Sequence, residues 1–116
     1  MIPKQKRWRC PKYLAWVRTR PCCLCGGQAN AAHHLIGMWG MSGMGLKAPD
    51  SMAIPVCDGP GDTCHRKIHA SKELQQLQPE WIEQTLRDAV IEFEGVYLVY
   101  DELINSLEFV RGKMDE

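Results

Sequence analysis

Two cysteine pairs, Cys22-x-x-Cys25 and Cys57-x6-Cys64, stand about thirty residues apart and limit what this chain can fold into more than any other feature. Together they supply four soft thiolates, the usual inventory for a tetrahedral zinc with Zn–S distances near ~2.3 Å. The first pair has the tight spacing of a metal knuckle. The second is looser, but Gly59, Pro60 and Gly61 let its loop turn back on itself. The competing reading is a set of unrelated buried thiols. Cys23 is a poor substitute for Cys22, because one intervening residue is a short bite for a single metal, so Cys23 and Cys10 are read as free thiols. Since the four thiolates converge only in a folded chain, zinc binding and folding are expected to be coupled.

A disulfide framework would need an oxidising compartment. The segment Met1 to Arg9 is basic, no apolar run of signal-peptide length follows it, and no stretch approaches the ~20 apolar residues of a membrane span. A soluble, cytoplasmic protein is therefore expected, where thiols stay reduced and metal binding is their leading use. At 116 residues the chain is about one domain, of a size that benefits from a staple.

The four histidines also fall in two pairs: His33-His34, and His65-x-x-x-His69 directly after Cys64. Helical positions i and i+4 share one face, so His65 and His69 can grip one ion together. Neighbours on a strand face opposite ways, so only one of His33 and His34 can point at that ion, and the two have different tasks. Such a set suits phosphodiester hydrolysis, in which a divalent cation neutralises charge at the phosphate and the leaving 3′ oxygen while a separate imidazole takes a proton from the attacking water. The competing reading is a second structural zinc site, because His65-x3-His69 after Cys64 is also zinc-finger spacing.

Formal net charge is zero, but its distribution is uneven. From Met1 to Pro49 there is no acid, while Lys4, Lys6, Arg7, Arg9, Lys12, Arg18, Arg20 and Lys47 all lie there; from Glu80 onward ten acids face only Arg87, Arg111 and Lys113. A basic end can neutralise phosphates, which makes DNA the expected partner and Arg7, Arg9, Arg18 and Lys47 the candidate contacts. A solvated arm opposite an acidic surface helix is the plainer alternative.

Local patterns complete the outline. Pro11 to Arg20 reads as a short amphipathic helix, and Ala31–Ile36 with Met52–Val56 as the two strands of a hairpin. The loop Gly37 to Lys47, rich in Gly and Met, fits no regular element. An NTP-binding loop is excluded there because Leu46 separates the last glycine from Lys47 and Ala48 follows it. Either this loop meets a DNA backbone through Lys47, or its methionines pack on the core. Asp62 or Thr63 can cap a helix running to about Ala70. Pro79–Glu94 carries apolar residues at helical spacing and is read as a core-facing helix. A strand around Tyr97–Tyr100 and a helix around Glu102–Val110 are expected to finish the chain.

With these residues in view, the pattern resembles the HNH endonucleases. Cys22-x-x-Cys25, His33-His34-Leu35 and Cys57 to Cys64-His65-x-x-x-His69 carry the likeness over about Pro21 to Ala70. More narrowly, His33-His34-Leu35-Ile36-Gly37, Gly43-Met44-Gly45-x-Lys47-Ala48-x-Asp50 and Ile54-Pro55-x-Cys57 resemble the phage HNH nucleases related to Ref, a recombination-enhancing nuclease that acts with RecA.

The resemblance implies an α+β fold: a small ββα-metal finger with a four-cysteine structural zinc, flanked by helices. Residues 1–20 would be a basic arm and short helix, 21–70 the metal core, and 71–116 a helical extension of the same domain. It implies His33 as a ligand of the catalytic metal, His34 as general base, and His65 and His69 as helix-borne residues at the metal, dividing between ligation and phosphate contact. The family's middle asparagine is missing, since Asn30 and Asn105 are the only asparagines and neither precedes the second strand. Asp50 stands near that place, with the implied task of bracing the loop through hydrogen bonds to backbone. A DNA endonuclease with magnesium as its catalytic cation, and a RecA-type recombinase as partner, is the reading that follows. A non-catalytic zinc module that binds DNA or protein is the alternative.

Overall fold

The computed structural model describes residues 7–43 and 46–116, so Met1 to Lys6 of the basic arm and Met44 and Gly45 of the glycine-methionine loop lie outside the described residues. The fold is α+β. Helix α1 (Pro11–Val17) opens with proline at a first-turn position, where a missing N–H costs nothing, and buries Tyr13 and Val17. After it, Cys22 N–H donates to the Gly27 carbonyl and Gly26 N–H to the Cys22 carbonyl, with Gly26 at φ 76°, so the first cysteine pair sits on a closed knuckle.

Strands β1 (Ala31–His34) and β2 (Ala53–Val56) pair antiparallel, with Ala31 opposite Val56, His33 opposite Ile54 and His34 opposite Ala53. Both are shorter than the sequence suggests. Gly37 turns left-handed at φ 73°, and Asp50–Met52 forms one 3-10 turn, which takes Met52 out of the strand even though its carbonyl still accepts from Leu35 N–H. The loop between the strands resolves one pair of alternatives in part. Met38 and Met41 pack against the core, and Trp39, at φ 59°, meets Phe109 edge to face at 5.7 Å.

Helix α2 (Cys64–Ala70) starts where the capping residue predicts, the Thr63 hydroxyl accepting from Arg66 N–H. The short α3 (Lys72–Gln75) is capped likewise by Ser71. Helix α4 (Gln78–Glu92) buries Ile82, Leu86 and Ala89, and α5 (Val99–Met114) lies along it, burying Leu103, Leu107 and Val110. Each such large aliphatic side chain contributes on the order of 2 kcal/mol.

The strand expected over Tyr97–Tyr100 is not formed. Gly95 at φ 80° and Leu98 at φ 66° turn the chain sharply, and Tyr97 and Leu98 are 84% and 63% exposed. Val99, Leu103, Leu107 and Val110 recur at helical spacing, so α5 begins at Val99 and extends well beyond the expected Glu102–Val110. The core joins α1, both strands, α2, α4 and α5, and Tyr13 lies 5.7 to 5.8 Å from the rings of Trp8, Trp16 and Phe93. Among the described residues no helix is long and apolar enough to cross a membrane.

Candidate metal and histidine site

The knuckle before β1 and the loop after β2 bring Cys22, Cys25, Cys57 and Cys64 together, their sulfurs all within 4.8 Å of one another. A zinc tetrahedron with Zn–S near ~2.3 Å sets sulfurs about 3.8 Å apart, so a small contraction closes the set. Two sulfurs already accept backbone hydrogen bonds, Cys25 from Gly27 N–H and Cys57 from Cys64 N–H, each at 3.4 Å. Burial opposes ionisation of Cys22, yet backbone N–H groups of Cys25, Leu24 and Cys57 bring it down to about 7. Burial, and its thiol neighbours Cys57, Cys25 and Cys22, push Cys64 well up. Four thiolates at this range need a cation to coexist, and these cysteines could hold a structural metal such as zinc. Cys23 stands outside this set, its thiol raised to about 12 by burial and by the charge of Cys22.

The second cluster forms where β1 meets α2. His33, His65 and His69 each present a ring nitrogen, and these atoms lie within 4.8 Å of one another. Their ring centroids are 4.9 to 5.1 Å apart, and His65 Nε2 and His69 Nε2 are separated by 3.2 Å. Two nitrogens bound at about 2.0 to 2.1 Å to one tetrahedral ion are roughly 3.3 to 3.4 Å apart; the His65–His69 pair is near that spacing, and with His33 the trio could hold a metal ion. Three imidazoles without a carboxylate form a donor set for zinc or a neighbouring transition metal; magnesium, expected from the sequence, favours oxygen and finds no support here.

His33 is 1% exposed, and burial lowers it from 6.5 to about 4, leaving a neutral imidazole with a free lone pair. His69 is also lowered, by burial and by the charge of His65.

His34 has a different partner, as strand alternation requires. Its Nε2 donates to Asp50 Oδ1 at 2.9 Å. Asp50 is buried, and it also accepts Cys10 N–H at 2.7 Å and the Arg9 guanidinium at 3.3 Å. It therefore ties the chain ahead of α1 to the turn entering β2 and at the same time orients His34. Arg9 further donates to the Ala48 and Lys47 carbonyls, while its side chain stays 44% exposed. Trp8 packs on the core, and its carbonyl accepts Asp50 N–H. Of the candidate nucleic-acid contacts, Lys47 borders the histidines: a cleft of about 250 Å³ is lined by Ala32, His33, His34, Ile36, Lys47, His65 and His69. Arg18 is exposed at the end of α1, and Arg7 is half-buried at the start of the described chain.

Sequence reasoning missed three neighbours of this cleft. Asp58 accepts from His65 Nδ1 at 3.1 Å, Gln78 bonds His33 Nε2 at 3.1 Å, and Arg66 stands beside His65 and His69 on the exposed face of α2. Asp58 lies beside Cys57, which was the one available hint; Gln78 is forty-five residues from His33 and gave none.

A family model described as a protein of unknown function (DUF968) matches residues 1–93. The chain is 50% identical over 81 residues to the uncharacterized protein YdfU of Escherichia coli (strain K12). That match covers 70% of this chain and 23% of the relative, so the chain spans less than a quarter of that protein's length. No solved structure matches.

Proposed function

The chain belongs to the DUF968 family, whose description assigns no activity, and from the site itself we propose that it is an HNH-type endonuclease that hydrolyses DNA phosphodiester bonds with a divalent cation. The observation that carries this reading is the division of labour on β1. His33 joins His65 and His69 in one cluster, while the next residue, His34, is oriented by a buried carboxylate at the rim of the same cleft. The order strand, strand, helix, with histidines on the first strand and the helix, supports the ββα-metal arrangement.

In this reading Cys22, Cys25, Cys57 and Cys64 hold zinc and fix the ends of the hairpin, and His33, His65 and His69 hold the catalytic cation. That cation would neutralise charge on the phosphate and on the leaving 3′ oxygen. Asp50 accepts from His34 Nε2, so the proton of that ring sits on Nε2 and Nδ1 is left as the base. His34 Nδ1 takes the proton of the attacking water, and Asp50 stabilises the imidazolium that forms. Lys47 lines the cleft and Arg66 lies beside His65 and His69 in the adjoining surface hollow, and both suit flanking phosphates. The phage relatives that the sequence resembles imply a RecA-type recombinase as partner.

The test is incubation of zinc-loaded protein with supercoiled plasmid in magnesium, manganese, nickel or zinc, with and without chelator, and with and without a RecA filament. Nicked or linear product that disappears on chelation is expected. Intact plasmid under every condition would move the assignment to a zinc module that binds DNA or protein without cutting it.

A further inference from the structure

Two imidazoles of the histidine trio, His33 and His65, are each held by a hydrogen-bonding partner outside the cluster. Gln78 is fully buried, and its amide has only one possible orientation. Its Nε2 donates to the Ile36 and Gln75 carbonyls at 3.0 and 2.9 Å, and its Oε1 accepts Ile36 N–H at 3.1 Å. The oxygen therefore faces His33 and can only accept, so the proton of His33 sits on Nε2 and Nδ1 carries the lone pair.

At the other end, Asp58 Oδ2 accepts from His65 Nδ1, which leaves the lone pair on His65 Nε2, 3.2 Å from His69 Nε2. Asp58 is itself immobilised. Asn30 grips its backbone twice, its Nδ2 donating to the Asp58 carbonyl at 2.9 Å and its Oδ1 accepting Asp58 N–H at 2.7 Å. Gly59 N–H fixes the other carboxylate oxygen at 2.8 Å.

Resting on the metal reading above, we infer that Gln78 and Asp58 are positioning residues that lock His33 and His65 in opposite tautomers, so that one divalent cation is taken by Nδ1 of His33 and Nε2 of His65. Because Asp58 follows Cys57 directly, the cysteine-bound metal and the histidine cluster share a strut: closing the first fixes where the second places its His65 ring. A carboxylate behind a ligating histidine typically accounts for 10- to 100-fold in metal affinity.

The test uses the full chain with its cysteine site filled by zinc and titrates Ni²⁺ calorimetrically, while the ring nitrogens of His33 and His65 are followed by long-range ¹H–¹⁵N correlation. Expected are one Ni²⁺ site per chain, a ring proton on Nε2 of His33 and on Nδ1 of His65, and Ni²⁺ affinity lowered tenfold or more in Asp58→Ala with zinc content unchanged. Asp58→Asn, whose amide oxygen can still accept from Nδ1, should recover part of that loss. Unchanged affinity in Asp58→Ala, or a His65 proton on Nε2, would overturn the inference while leaving the histidine site standing. A wild-type chain that binds no Ni²⁺, or binds it equally after His65→Ala, would remove the metal reading itself.

Discussion

His34 and Asp50 share a hydrogen bond of 2.9 Å, from Nε2 to Oδ1, and the same carboxylate holds the backbone of Cys10 at 2.7 Å. One buried group thus orients the proposed base and anchors the chain ahead of α1. Asp50→Ala should cost both functions: cleavage is lost, and stability falls by roughly 2 kcal/mol, because the partly buried Cys10 N–H and His34 ring lose their acceptor. Urea unfolding beside a plasmid assay checks this. A variant as stable as the wild type would show that Asp50 does not brace the fold.

The cysteine cluster sets a different expectation. Cys57 lies between β2 and the loop that carries Asp58, and its sulfur accepts Cys64 N–H. Cys57→Ser should lose zinc and the folded state together, read as zinc content and circular dichroism. A zinc-free variant that stays folded would count against the staple.

A buried hydroxyl offers a test of the core. Tyr13 Oη is buried without a hydrogen-bond partner among the described residues. Removing an unpaired polar atom from such a place relieves its desolvation, so Tyr13→Phe should leave stability unchanged or raise it by about 1 kcal/mol. A clear loss would mean that the hydroxyl has a partner in solution.

Acid should weaken the fold through His33, which burial lowers from 6.5 to about 4. The unfolded chain binds a proton near 6.5 that the folded chain refuses until about 4, so the contribution of His33 is complete above 6.5 and is lost as pH falls through this window. The change amounts to on the order of 3 kcal/mol. Unfolding of the zinc-loaded protein, free of other metals, at about pH 7 and about pH 5 should show about 2 kcal/mol of it. His33→Gln should show the shallower dependence; equal slopes would place the acid sensitivity elsewhere.

Much of this site was legible in the sequence because its spacing is local. Cys22-x-x-Cys25, and His65 with His69 one turn apart, mean the same thing in almost any surroundings, and strand alternation alone separates His33 from His34. The stripe of α4 was equally plain, and its helix runs Gln78–Glu92. What stayed hidden depends on contacts distant in sequence. Gln78, just ahead of the helix expected over Pro79–Glu94, is fully buried behind His33, and Arg9, expected as a DNA contact, also hydrogen-bonds the Ala48 and Lys47 carbonyls and Asp50. Tyr97–Tyr100 has strand-like side chains, but the left-handed turn at Gly95 and Leu98 sends the chain back as a helix against α4.

The most direct measurement is plasmid cleavage by wild-type protein beside His34→Ala. This side chain is 15% exposed and cross-links no metal, so its removal should leave zinc content and folding intact. The account expects the wild type to cut in a divalent cation and the variant to lose cleavage by at least about a hundredfold, the usual worth of a positioned base. Cutting by the variant at the wild-type rate would contradict it.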